Sequence, residues 1–252
     1  MRPITMLTML KSKGLLWPAI MTLVGVAILL RLGTWQLERL NWKEGLLASI
    51  SQRAHGEPSA LKHAEQSEDA GKDVEYLRVK AEGQFLHDKE RHLFAFDSKY
   101  GSGYHVFTPL KLADGGVAIV NRGYIPSELK DPAKREAGQV AGAVEIVGLV
   151  RRPEEPGTFT PENNVAGNLW YWRDLNVMAA SVFGQEQPRL IPFFIDAEAE
   201  PPAPGGWPKG GVTRLELPNR HLEYAVTWYG LAAALIAVFA AYVVSRWRHP
   251  DA

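Results

Sequence analysis

The residue best placed for chemistry is His221. It stands in Asn219-Arg220-His221-Leu222-Glu223-Tyr224, which runs into the charge-free stretch Ala225–Val244 with no helix breaker after Pro218. At 1.5 Å rise per residue its backbone lies about 6 Å outside that stretch. An ionisable group at the rim of an apolar helix is a functional candidate by default. Imidazole is the usual protein ligand of haem iron. Helical spacing puts Ala225 and Trp228 on the face of His221. A small residue beneath the ligand would leave room for a flat macrocycle, and an indole could stack on it. Arg220, or Arg31 farther back in the chain, is the candidate partner for carboxylates of such a group. From spacing alone, an interfacial histidine hydrogen-bonded to lipid headgroups is the competing reading.

The remaining histidines point nowhere comparable. His55 and His63 lie in an acidic stretch and His249 near the end of the chain, all three read as solvated. His87 and His92 flank a turn, but no further metal ligands accompany them. Cysteine is absent, which removes disulfides, thiolate metal sites, covalent haem attachment and thiol nucleophiles together. Of five methionines only Met178 lies outside the tail and the first apolar stretch, so a soft-ligand copper site has no donors. There is no G-x-S-x-G, H-E-x-x-H, P-loop or dinucleotide fingerprint, and no enzymatic activity is expected. Basic and acidic residues number 28 each, which argues against a nucleic-acid partner.

The elements that must position His221 begin with two apolar segments. Gly14–Leu30 holds seventeen residues without a charge and Ala225–Val244 holds twenty. About twenty residues cross a hydrocarbon core, so the second spans outright. The first spans if Arg31 snorkels and the helix runs on to Trp35. Arg2, Lys11 and Lys13 precede the first segment, and Arg246 and Arg248 follow the second with only Asp251. Residues 31–224 carry 23 basic and 27 acidic residues. The positive-inside rule therefore puts both termini in the cytoplasm and the middle outside. The basic tail is short for a transit peptide, so a bacterial inner membrane and a periplasmic domain are expected. The expected layout is a tail over 1–13, transmembrane helices over 14–35 and 221–245, a β-rich extracytoplasmic domain over 36–220, and a tail over 246–252. Trp35, Trp42, Trp207, Tyr224, Trp228 and Trp247 read as an aromatic belt. Gly230, Ala233, Ala234, Ala237 and Ala241 read as a small-residue face for helix packing.

Between the spans, alternation predicts strands at Val74–Phe85, Arg91–Phe96, Tyr104–Leu112, Gly116–Tyr124, Ala143–Val150, Phe193–Asp196 and Val212–Leu217. A hairpin is expected at Ala113-Asp114-Gly115. One helix is expected over Asp174–Phe183, capped by Asp174. His55–Lys72 reads as a loop and Pro201–Gly211 as a semi-rigid linker. Together these predict an antiparallel barrel or sandwich of α+β type.

Several separated motifs resemble the surfeit-locus family of cytochrome c oxidase assembly factors. They are Leu32-Gly33-Thr34-Trp35-Gln36 with Arg39 and Trp42-Lys43; Gly103–Leu110 (GYHVFTPL); Val120–Pro126 (VNRGYIP); Gly148–Glu154 (GLVRRPE); Gly157–Asn163 (GTFTPEN); Asn168–Asp174 (NLWYWRD); and Asn219–Gly230 (NRHLEYAVTWYG). The resemblance covers nearly the whole length. It implies help in building a haem–copper oxidase, with haem a bound and passed to the catalytic subunit beside haem A synthase, in a lipid bilayer. The family's haem-ligating histidine matches His221. A haem-independent scaffold that stabilises the catalytic subunit is the alternative. Gly123 and Pro126 read as turn residues, and Arg122 and Arg173 as braces within the domain.

Overall fold

The computed structural model describes residues 14–186, 188–215 and 218–248. Arg2, Lys11, Lys13, His249 and Asp251, and the last part of the expected strand Val212–Leu217, lie outside them. The chain divides into two units, one within Met1–Ala48 and Glu216–Ala252, the other Ser49–Leu215.

The first unit is built from helix α1 (Leu16–Ala54), as far as Ala48, and the last helix, α4 (His221–Arg248). Pro18 falls in the first turn of α1, where a missing N–H is tolerated, and no proline follows to stop the helix. It therefore continues well past Trp35. Both helices are long and apolar enough to cross a membrane. Trp17, Leu23, Ile28, Leu222, Val226 and Val238 are exposed, a surface that water would not tolerate and lipid would.

The inward positions of α1 recur at spacings of three and four: Gly25, Leu29, Leu32 with Gly33, Gln36, Leu40, Lys43. Those of α4 do the same at His221, Ala225, Trp228, Ala232, Leu235 and Phe239. This is the seam of two antiparallel helices packed along their length. Gly25 lies against Leu235, and Gly33 lies against Tyr229 so closely that a Cβ there would sit 2.8 Å from the ring. Gly230, Ala233, Ala234, Ala237 and Ala241 are exposed instead. The buried small residues of α4 are Ala225 and Ala232. A seam of period 3.5 passes through positions 225 and 232, seven apart; the expected small-residue face lies off it.

The second unit is a five-stranded barrel. Strands β2 (Arg78–Phe85), β4 (Gly101–Leu112), β5 (Val117–Pro126), β6 (Ala143–Arg151) and β7 (Leu190–Ala197) follow the order β2-β6-β7-β5-β4, and β4 closes on β2 through Gly83–Leu112 and Phe85–Leu110. The expected barrel is present, with one difference: β5 and β7 run parallel. Strand β3 (Arg91–Asp97) extends the sheet beyond β4, and the short β1 (Ser59–Ala60) joins β2.

The interior holds Val79, Leu110, Val120, Val150, Phe193 and Ile195. Outside the wall, Phe107, Ile119 and Phe194 are covered by helix α3 (Leu175–Phe183) through Leu175 and Met178, and by Trp170. Phe107 meets Phe194 edge to face at 5.4 Å. Strand β7 is thus buried on both faces, which explains its unbroken apolar run. Asp174 accepts from the Val177 N–H at 3.0 Å, as expected of its cap position.

Two stretches differ from expectation. His55–Lys72 holds β1 and helix α2 (Leu61–Asp69), which puts only Leu61 and Ala64 into the core. Pro201–Gly211 is no linker: Lys209 exchanges backbone hydrogen bonds with Tyr124, and Trp207 packs on Tyr100. Trp207 therefore belongs to the β unit rather than to an aromatic belt. Within Val212–Leu217, the described residues form no strand.

Candidate functional site

His221 is the first residue of α4. Its Nδ1 stands 2.8 Å from Gln36 Oε1 on α1. An amide oxygen only accepts, so Nδ1 carries the hydrogen and donates it, which leaves the lone pair on Nε2. Among the described residues nothing bonds to Nε2. Ligating histidines are held in this way, with one ring N–H donated to a fixed acceptor and the other nitrogen offered to the metal. Gln36 is 8 % exposed, an acceptor that water does not compete for.

The local sequence explains why Gln36 can reach. Gly33, one turn earlier, lets the two helices close on each other. Thr34 Oγ1 and Tyr229 Oη lie 3.2 Å apart, and Thr34 also donates to the Leu30 carbonyl. Two turns beyond Gln36, Lys43 donates to the Pro218 carbonyl, fixing the segment that leads into His221. Four residues of the Leu32–Lys43 motif therefore hold the start of α4. Trp35 and Trp42 do not; both are about half exposed, and Arg39 lies over the Trp42 ring at 3.8 Å.

Trp228 is half-buried two turns beyond His221. Ala225, between them, is 1 % exposed. The open space expected beneath His221 at this position is filled by the helix pair: the small side chain serves close packing. Arg220 is exposed and pairs with Glu223 at 2.9 Å, and Arg31 pairs with Glu38 at 3.5 Å. Exposed pairs of this kind are weak and screened by water, so either guanidinium can exchange its partner for another carboxylate. No group of three or more histidine or acidic side chains able to hold a bare ion occurs among the described residues. A single imidazole suits a metal whose other ligands come with it, as in a porphyrin.

A profile of the SURF1 family matches residues 23–233. Surfeit locus protein 1 of Mus musculus is 43 % identical over 218 residues, covering 81 % of this chain and 68 % of that protein. The Homo sapiens protein of the same name is 42 % identical over 219 residues, 81 % of this chain and 70 % of the relative. A SURF1-like protein of Monosiga brevicollis is 38 % identical over 240 residues, 91 % and 87 % of the two chains. The chain belongs to the SURF1 family. The matched span of the SURF1 profile takes in Gly33, Gln36, His221 and Trp228 together with the whole barrel, so both halves of the site fall inside the family's common region.

The other motifs of this SURF1 chain brace the barrel. Arg122 reaches the Gly138 carbonyl and lies 3.7 Å from Glu90. Glu90, 4 % exposed, also takes a forked bond from Arg135. Burial alone would raise the Glu90 carboxyl, but His87, Arg135 and Arg122 outweigh it and bring it down to about 2. His92 beside it is pushed down to about 4 by burial, which wins over the attraction of Glu90. Asn168 sits at φ 47° and binds the Glu90 carbonyl, the His92 N–H and the Trp170 indole. Arg173 pairs with Glu154 and Asp196. Gly123 has φ +119° with the Lys209 backbone pressed against it, a conformation and a space that suit only glycine. Arg122 and Arg173 are the internal braces the sequence suggested. The polar core around Glu90 and Arg135 was not anticipated; neither residue lies in a quoted motif.

Proposed function

We propose that this chain binds haem a through His221 and assists its insertion into the catalytic subunit of a haem–copper cytochrome c oxidase, beside haem A synthase. SURF1 membership supplies the general setting of oxidase assembly. The observation that carries the finer reading is the Gln36–His221 hydrogen bond, which holds the imidazole in the tautomer an axial ligand needs. The iron would supply the coordination chemistry. The chain's residues do the rest: Gln36 holds the proton on Nδ1, Nε2 offers its lone pair, and Arg220 provides a cation for a propionate, while Trp228, on the packed face of α4, offers only the part of its ring that α1 leaves uncovered. Haem a is strongly apolar, and a site at the end of a membrane-crossing helix pair keeps it beside lipid. The charge bias of the flanks supports a bacterial inner membrane, with both termini cytoplasmic and the barrel periplasmic. No catalytic step is assigned.

The test is oxidase assembly in cells that carry His221→Ala. A carrier predicts accumulation of catalytic subunit lacking haem a while the variant persists at normal abundance. Full haem a content in the oxidase of such cells would reject the carrier role and leave the scaffold reading.

A further inference from the structure

The barrel unit holds a cavity whose lining does not include His221. On β4, β5 and β7 the outward positions change character in step. Phe107, Ile119 and Phe194 lie under α3, and two residues along each strand stand His105, Asn121 and Asp196. This polar patch floors a cavity of about 660 Å³, a size typical of sites for small organic ligands. Arg214, Lys209 and the rings of Phe94 and Phe96 of β3 also line it.

What each polar group already does indicates what the cavity would take. Asp196 is saturated: it accepts from Thr213 at 2.7 Å, Asn121 at 3.0 Å and Arg173 at 3.3 Å, and faces Arg151 at 3.6 Å. Asp97 caps its own turn, accepting from the Lys99 and Tyr100 N–H groups through Oδ1 alone. Among the described residues Arg214 makes no ion pair or hydrogen bond. Lys209 makes no ion pair among them; it lies over the rings of Tyr100 and Trp207 and beside the Tyr100 hydroxyl, whose pKa it helps to lower. The His105 ring has no hydrogen-bond partner there and touches Tyr124 edge-on at 6.4 Å. Burial pushes its pKa down, so it stays a neutral donor and acceptor at pH 7. The lining carries four cations, Arg151, Arg173, Lys209 and Arg214, against two carboxylates, Asp97 and Asp196. Phe94 and Phe96 lie on one face of β3 and are 46 % and 66 % exposed, beside these cations and outside both apolar clusters.

We propose that this cavity binds a small organic anion, its oxyanion held by Arg214, Lys209 and His105 and its apolar body lying against Phe94 and Phe96. Charge-assisted hydrogen bonds give the oxyanion its affinity, and covering the two rings gives an apolar ligand its advantage over a bare ion.

The test uses the full-length chain in detergent micelles and 1-naphthyl phosphate as probe, with inorganic phosphate and 1-naphthol as its two halves, measured by equilibrium dialysis. The intact probe should bind more tightly than either half. Arg214→Gln with Lys209→Gln should weaken it by at least about tenfold, since a hydrogen bond to a charged group is lost at each. Phe96→Ser should weaken the naphthyl probe while leaving inorganic phosphate unchanged. Lys209, Arg214 and Phe96 are exposed, so these variants keep the fold. No binding at millimolar probe, or equal binding by wild type and the double variant, would overturn the proposal. Inorganic phosphate binding as well as the naphthyl ester would overturn its apolar half.

Discussion

Replacing Gln36 by leucine removes the oxygen that accepts the His221 Nδ1 hydrogen while keeping a side chain of similar length in the helix seam. Gln36 is almost fully buried, so water does not take its place. An unsatisfied buried donor costs about 1–3 kcal/mol. The ring avoids that cost by moving its proton to Nε2, the nitrogen that would bind iron, or by rotating away. Either way haem binding should weaken by about 10–100-fold, the usual range for loss of a partner behind a metal ligand. The assay is titration of haem a into the purified chain, followed by absorption, for wild type, Gln36→Leu and Gln36→Glu. The glutamate retains an acceptor and should restore binding. Its charge makes the imidazole a stronger donor to iron and should lower the reduction midpoint relative to wild type. In the haem-free protein, ¹⁵N shifts of His221 should show the Nδ1–H tautomer in wild type and its loss in Gln36→Leu. Binding by Gln36→Leu within twofold of wild type, with an unchanged midpoint, would refute the reasoning.

Two further predictions concern the seam and the barrel. Gly33→Val should push Tyr229 aside, part Gln36 from His221 and weaken haem binding as Gln36→Leu does. Gly45→Val on the same helix, where a Cβ meets nothing within 4 Å, should not. In the barrel, Glu90 at about 2 and His92 at about 4 are both depressed from 4.5 and 6.5. Stability they contribute is full above pH 6.5. It falls first as unfolded His92 gains a proton the folded form refuses, and again below pH 4.5 through Glu90. The His92 part amounts to about 2 kcal/mol between pH 7 and pH 5. Amide exchange of β4 should show that loss in wild type and a smaller one in His92→Phe; an equal loss would contradict it.

Much of this arrangement is legible in the residues. Charge-free length announces both membrane helices, and Asp114-Gly115 marks the β4–β5 turn, where Gly115 has φ +84°. Asp174 marks the start of α3. The misses have physical causes. Helix α2 turns only Leu61 and Ala64 inward, too few apolar positions to show a period. Pro201–Gly211 looks like a linker because its ties to the barrel are backbone hydrogen bonds, which no side-chain pattern records. The parallel pairing of β5 with β7 depends on strands far apart in the chain. Gln36 is the instructive case. Its motif was visible, but its role depends on a partner 185 residues away, and a lone glutamine in an apolar helix does not announce which atom it faces. For His221 the reverse holds: a histidine at the rim of a span is conspicuous by position alone.

The central claim is axial ligation by one imidazole, and the absorption spectrum of the chain purified from cells that make haem a tests it most directly. Wild type should carry the pigment with the Soret and α bands of a histidine-ligated haem a, and His221→Ala, folded and equally abundant, should lose it or show a shifted spectrum. Colourless wild-type protein, or an alanine variant with the same bands and the same haem content, would contradict the account.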